Sequence, residues 1–166
     1  MRLEIYTDGS CYPNPGPGGW CAVILRDKKP LWELSGHERS STNNRMELTA
    51  ILEALRHLPD HSSVRVYTDS QYCQRTCSER IDRWYQMNWK KVLNRTLWME
   101  IYEQLKRVDC EVIWVRGHNG DRWNEYCDKI AEMNRKRAST DPDPASRRLI
   151  DANIINWENT FKEMGI

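Results

Sequence analysis

The sequence predicts an α/β fold built on a mixed sheet. Three observations carry that prediction. Three consecutive strand-like runs are joined by short turns, and a later strand-like run is reached only across a helix. Two segments also echo each other at strand ends, Tyr6-Thr7-Asp8-Gly9-Ser10 and Tyr67-Thr68-Asp69-Ser70-Gln71. Short connections favour antiparallel neighbours, whereas a strand, helix, strand succession needs a crossover and therefore a parallel pair.

Leu3 to Asp8 and Trp20 to Arg26 read as the first two strands, separated by the turn residues Pro13-Asn14-Pro15-Gly16-Pro17-Gly18-Gly19. Leu31 to His37 follows as a third after the polar turn Asp27 to Pro30. From Thr42 the apolar period becomes helical. Leu48, Ile51, Leu52, Leu55 and Leu58 fall on one stripe, Thr42, Asn43 or Asn44 can cap its start, and Pro59 ends it. Val64 to Asp69 alternates as a fourth strand, and Ser70 to Ser78 and Leu97 to Val108 read as helices around a Trp-rich, basic stretch from Arg80 to Arg95. Glu111 to Val115 is the last strand of this order, and Trp123, Tyr126, Cys127 and Ile130 form the stripe of a helix capped by Asp121. The core order is thus β-β-β-α-β-α-α-β-α. After Asn134, Arg135-Lys136-Arg137 and Asp141-Pro142-Asp143-Pro144 have the composition of a linker, and Ile150, Ile154, Trp157 and Phe161 have the spacing of an amphipathic helix. The expected division is residues 1–134 as the core domain and 135–166 as linker and C-terminal helical extension.

At 166 residues the chain fits a single core that buries roughly 68–70% of its unfolded surface. The apolar runs Cys21 to Leu25 and Val112 to Val115 fall far short of the roughly 18 residues of a membrane span, and Met1-Arg2-Leu3-Glu4-Ile5 lacks the apolar region of a signal peptide. A soluble, cytoplasmic protein with no membrane partner is expected. The 25 basic and 24 acidic side chains leave a net charge of +1, so contact with a polyanion must come from local clusters. Six cysteines without a Cys-x-x-Cys pair point to free thiols and away from a zinc site.

The carboxylates carry the chemistry. If the strands ending in Asp8 and Asp69 are adjacent and parallel, equal parity puts both on one side of the sheet at its carboxyl end, where open α/β sheets bind ligands. Two like charges facing one space need a proton or a cation between them. Either Asp alone could simply start a turn. Glu47 is a third acid, on the apolar face shared with Ala50, Ile51 and Ala54; a capping box with Asn44 is the competing explanation for it. Asp128 is a fourth, in the helix after Asp121. His118 sits in the Gly-flanked loop Arg116-Gly117-His118-Asn119-Gly120, where an imidazole can carry protons or be merely solvated.

In these residues the chain resembles the ribonuclease H family, type 1. The matching runs are Tyr6 to Ser10, Asn14 to Gly19, Thr42 to Leu48, Thr68 to Tyr72, and Gly117-His118 followed by Asn124-Glu125 and Cys127-Asp128. They cover about Leu3 to Ala131 in the family's order. The resemblance implies a five-stranded mixed sheet, three antiparallel strands plus two parallel, flanked by helices on both sides. It implies hydrolysis of the RNA strand of RNA/DNA hybrids to 5′-phosphate and 3′-hydroxyl products. Asp8, Glu47, Asp69 and Asp128 would hold two Mg²⁺ ions, which Mn²⁺ could replace, and His118 would transfer protons or release product. Hard oxygen ligands suit such ions. Asn14, Asn43, Asn44 and Gln71 would line the minor groove, where the 2′-hydroxyl separates RNA from DNA, and Thr42 would hold a DNA-strand phosphate. Trp84, Trp89, Lys90 and Lys91 would belong to a basic handle that grips the hybrid, in a segment whose net charge is +4. Here Tyr85-Gln86-Met87-Asn88 replaces a stretch that the family usually fills with lysine. A monomer is expected. Rival readings are a DNA-junction nuclease of the same fold, which leaves the Thr42 to Met46 and Asn14 to Gly19 runs unexplained, and a non-catalytic hybrid-binding module, which has no use for four acids that repel phosphate.

Overall fold

The computed structural model describes residues 2–140, 142–143, 145–152 and 156–166. Strands β1 (Arg2–Cys11), β2 (Gly16–Arg26) and β3 (Lys29–Ser41) form an antiparallel meander. Helix α1 (Asn43–Arg56) crosses to β4 (Ser63–Thr68), parallel to β1. Helix α2 (Gln71–Arg75), one turn of π-helix (Thr76–Arg80), α3 (Ile81–Gln86) and α4 (Arg95–Arg107) lead to β5 (Asp109–Trp114), parallel to β4. Helix α5 (Arg122–Ala138), strand β6 (Ala145–Asp151) and helix α6 (Trp157–Met164) complete the chain. The sheet order is β5-β4-β1-β2-β3-β6.

The expected order of strands stands, but the stretch from Arg80 to Arg95, expected only to separate two helices, holds a further helix, α3, and the C-terminal part differs as well. The sheet has six strands, not five, because Ala145–Asp151 pairs antiparallel with β3 from Trp32↔Asp151 to Glu38↔Ala145. Without it the 13-residue β3 would be an edge strand with a row of unpaired backbone groups. Of the expected amphipathic stripe only Trp157 and Phe161 lie on a helix; Ile150 is in β6, and Ile154 lies outside the described residues. Helix α5 also runs past the expected boundary at residue 134. Arg135, Lys136 and Arg137 form its last turn, where cations oppose the negative end of the helix dipole.

The first two strands are longer than their apolar patterns predict, since β2 begins at Gly16 within the expected turn. Gly18 and Gly19 read as turn residues but serve close packing. A Cβ on Gly18 would meet the Met46 thioether at 2.7–2.8 Å, and one on Gly19 would overlap the Ala131 carbonyl of α5. Two cores result. Ile5, Ala22, Ile24, Leu34, Val64 and Val66 pack beneath α1 and α4 on one face, and Cys21, Val23 and Leu25 pack beneath Tyr126, Cys127 and Ile130 of α5 on the other. All six cysteines are free. Among the described residues no helix is long and apolar enough to cross a membrane.

The tail is tied to the second core by a buried charge. Glu33 of β3 is 0% exposed, accepts hydrogen bonds from Arg148 of β6 (Nε to Oε2, 3.0 Å) and from the Tyr126 hydroxyl of α5. Burial, then the Glu33 carboxylate, push the Tyr126 hydroxyl above its ordinary pKa, so it remains a donor. Phe161 of α6, 3% exposed, adds edge-to-face contacts with Trp123 and Tyr126. Removing one partner of a buried pair leaves an uncompensated charge, at a cost of about 3–5 kcal/mol when both are buried. Arg148 is 41% exposed, so Arg148→Ala should cost on the order of 3 kcal/mol, the low end of that range, read as a lower denaturant midpoint. A chain ending at Thr140 should melt lower still, because it loses β6, α6 and the Glu33 counter-ion together; equal melting temperatures would refute this account of the tail.

Candidate active site

The echo between the two strand ends becomes geometry in the sheet. β1 and β4 are parallel neighbours with Tyr6 opposite Tyr67, and the two rings stack at 4.7 Å. Two residues further along the chain come Asp8, still in β1, and Asp69, one residue past the end of β4. Gly9 alternates to the α1 side, and α1 approaches so closely there that a Cβ on Gly9 would overlap the Glu47 amide and lie 2.8 Å from Met46 Cβ. That approach brings Glu47 past the end of β1. One carboxylate oxygen from each of Asp8, Glu47 and Asp69 lies within 4.8 Å of the others.

The capping-box explanation of Glu47 does not hold. Thr42 is the N-cap, accepting a hydrogen bond from the Arg45 amide at 3.2 Å, so Glu47 is the fifth residue of α1 and beyond reach of the cap. Instead it is buried, and its Oε2 has no hydrogen-bond donor within reach. Burial first, and then the Asp8 and Asp69 charges, raise the Glu47 pKa well above the ordinary carboxyl value. Burial and the Asp69 charge do the same to Asp8, opposed in part by the Gly9 amide that donates to Asp8 Oδ1 at 2.9 Å. Asp69 is raised by burial and by Asp128. An orphaned carboxylate oxygen among three converging acids fits a hard divalent cation, which replaces mutual repulsion by attraction.

Asp128, on α5, is half-buried and outside the close set of three, yet near enough for its charge to raise both Asp8 and Asp69. His118 is exposed in the loop between β5 and α5, at φ 56, and a charge on it favours the ionised form of Asp69. The loop is held against Asp69. A Cβ on Gly117 would sit 3.0 Å from Asp69 Oδ2, and the Trp114 indole donates to the Asp69 carbonyl at 3.0 Å.

The expected substrate contacts divide into two groups. Asn14, Thr42 and Asn43 come together: Asn43 Oδ1 accepts from the Cys11 amide at 2.7 Å, and Asn14 Oδ1 accepts from the Asn43 amide at 3.2 Å. Asn44 and Gln71 are exposed in the first turns of α1 and α2. At the handle, Trp84, Lys90 and Lys91 line a cleft of about 470 Å³ with Tyr72, Arg80 and Arg83. Trp89 turns the other way. It is 5% exposed and meets Tyr102 edge to face, so it anchors the handle on α4 and offers no face to a ligand. A Trp beside lysines has the same pattern whichever way it points, so this orientation is not legible from the residues alone. Asn124 was missed as well. It is buried one turn ahead of Asp128, with its Nδ2 lacking a hydrogen-bond partner, and a polar residue three before Cys127 on the buried stripe was the available signal.

Known proteins resemble the chain along most of its length. A family model described as RNase H matches residues 1–136. The chain is 40% identical to "Ribonuclease H" of Treponema denticola, over 79% of this chain and 95% of the relative. It is 47% identical to "Ribonuclease H" of Chromobacterium violaceum, over 78% and 92%. Among solved structures, LC9-RNase H1, described as a type 1 RNase H with the type 2 active-site motif, is similar at a TM-score of 0.80 and 26% identity, covering 96% of this chain and 80% of that one. LC11-RNase H1 in complex with RNA/DNA hybrid is similar at 0.64 and 23% identity, covering 82% and 98%.

The raised carboxyl values have a sign for stability. Between the unfolded and folded pKa values the folded state binds more protons, so without metal the protein loses stability as pH rises through the folded values. In chelator at neutral pH, Asp8→Asn should therefore melt higher than wild type, by about 2–4 °C for each kcal/mol of repulsion relieved. The difference should shrink as pH falls from the folded values towards about 4, the ordinary carboxyl value, and be gone well below it, where these carboxyls are protonated in both states. Equal or lower melting of the variant at neutral pH would contradict the repulsion.

Proposed function

Because the chain belongs to the ribonuclease H family, we propose that it hydrolyses the RNA strand of RNA/DNA hybrids endonucleolytically, leaving 5′-phosphate and 3′-hydroxyl ends. The observation that carries this reading is the convergence of buried Asp8 and Glu47 with half-buried Asp69, with Glu47 Oε2 left without a donor. These three and Asp128 would hold two Mg²⁺ ions, with Mn²⁺ an acceptable substitute by the hardness of the donors. When bound, such ions supply a water of lowered pKa and stabilise charge developing at phosphorus.

The residues divide the remaining work. The stacked Tyr6 and Tyr67 and the Gly9 contact fix the acids before substrate arrives, so little reorganisation is needed. His118, exposed beside Asp69, takes or returns a proton at an imidazole nitrogen at the solvent side. Asn14 and Asn43 have their Oδ1 atoms committed to backbone amides, which aims their amide N–H groups outward to accepting oxygens such as the 2′-hydroxyl. Asn44 and Gln71 extend the same edge, and Thr42 both caps α1 and faces a DNA-strand phosphate. Trp84, Lys90 and Lys91 grip the duplex backbone electrostatically and by packing. The complex of LC11-RNase H1 with a hybrid supports the substrate class. The protein would act as a cytoplasmic monomer, its catalytic part within residues 1–134 and the rest as the extension that braces it.

Incubation of labelled hybrid, RNA duplex and DNA duplex in Mg²⁺ and then in chelator tests the reading. Cleavage confined to hybrid RNA, and abolished by chelator, is expected. Binding without cleavage would favour a hybrid-binding module, and cleavage of branched DNA would favour a junction nuclease. Asp69→Asn should abolish cleavage while hybrid binding persists; activity above a few per cent in Mg²⁺ would remove Asp69 from the ligands. His118→Ala should lower kcat by roughly 10²–10⁴-fold with the metal titration midpoint unchanged. A shifted midpoint would make His118 a ligand and not a proton carrier.

A further inference from the structure

Beyond the acids, along the same side of β1, lies a cation with no carboxylate in ion-pair contact among the described residues. Arg135 donates from Nε to Ser10 Oγ at 3.1 Å, and its guanidinium carbon is 5.8 Å from the centre of the Tyr12 ring. Tyr12 is itself 73% exposed. Arg135 reaches β1 because α5 lies directly on Gly19, where a Cβ would overlap the Arg135 amide. Among the described residues no carboxylate is paired with Arg135, while Lys136 beside it pairs with Glu132 at 2.9 Å. Of the five N–H donors of a guanidinium, one is used on Ser10 and the four on the Nη atoms have no protein acceptor among the described residues.

The placement says what those donors are for. Ser10 is two residues beyond Asp8 on β1, about 6.6 Å along a strand, and Arg135 is seven beyond Asp128 on α5, about 10.5 Å along a helix. Both displacements lead outward from the acid cluster, and at 3.4 Å of rise per nucleotide they amount to roughly two to three steps. Tyr12 also lies in the turn that presents Asn14. A planar guanidinium held in orientation by a hydroxyl on one side and a ring on the other suits bidentate recognition of a phosphate.

We propose that Arg135, braced by Ser10 and Tyr12, is a phosphate subsite that engages a non-scissile phosphate of the cleaved strand two to three nucleotides from the cut. This rests on the hybrid-cleaving reading above. It gives the enzyme a basic contact to the RNA strand besides those of the handle cleft.

The test uses the full chain and an RNA/DNA hybrid. Binding is measured against salt in the Asp69→Asn background, and steady-state cleavage in the otherwise wild-type background. Arg135→Ala should flatten the slope of log affinity against log salt by about 0.7–0.9, one phosphate contact, and raise KM several-fold with kcat little changed. Arg135→Gln, which can still donate to Ser10 but carries no charge, should behave like Arg135→Ala, whereas Arg135→Lys should keep the wild-type slope. An unchanged slope and KM in Arg135→Gln, at a melting temperature equal to wild type, would overturn the proposal and leave Arg135 as a structural tie to Ser10. If the wild-type chain binds hybrid but does not cleave it, the catalytic reading fails while the salt slopes still decide on Arg135. Failure of the wild-type chain to bind hybrid overturns both.

Discussion

Like charges buried side by side are the constraint on which the rest of this structure depends. Asp8, Glu47 and Asp69 converge from the ends of two strands and a helix, with Asp8 and Glu47 buried and Asp69 half-buried, so water shields them poorly. Charges so placed raise each other's pKa and destabilise the fold unless a cation or a proton intervenes. Their positions are enforced by features with no chemistry of their own. The parallel register of β1 with β4 sets Asp8 against Asp69, and the bare Gly9 backbone admits the first turns of α1. Hydrophobic burial beneath α1, through Leu48, Ile51, Leu52 and Leu55, is what holds the acids together against their repulsion.

The same economy recurs on the opposite face. Helix α5 carries Asp128 and Arg135, so its seat decides where both stand. Gly19 lets the helix sit on β2, Cys21 and Val23 pack beneath it, and Tyr126 ties it to Glu33 of β3. Glu33 in turn needs Arg148, which arrives only with the C-terminal strand. The tail thus contributes to the site without touching it: β6 completes the sheet, neutralises Glu33 and, with Phe161 and Trp157 of α6, covers the outer side of α5.

The handle rests on a different kind of support. Trp98 is fully buried, donates from its indole to the Tyr72 hydroxyl at 2.8 Å, and meets Tyr72 and Trp84 edge to face. Aromatic contacts of this kind link α2, α3 and α4 without charge, leaving Arg80, Arg83, Lys90 and Lys91 free for the surface of the cleft. The basic cleft and the acid cluster are therefore built separately, one on aromatic packing and the other on the sheet end.

What the sequence determined by itself was the set of elements whose signal is local or periodic. The alternation of Val64 to Asp69, the stripe of α1 ended before Pro59, the Asp121 cap of α5 and the echo of Tyr6-Thr7-Asp8 in Tyr67-Thr68-Asp69 were all readable, and they sufficed to bring Asp8 and Asp69 to one side of one sheet end. Tertiary structure alone decided the rest, because those features depend on partners distant in the chain. Gly18 and Gly19 lie in a strand and not a turn because Met46 and α5 need their space. Ala145–Asp151 is a strand because the far edge of β3 lacked a partner, and Trp89 points inward because Tyr102 waits there. Arg135 belongs to a helix, and faces Ser10, because α5 has a glycine to rest on. Periodicity reports how a segment divides its own faces between water and protein; it carries no information about which distant residue will supply the other side.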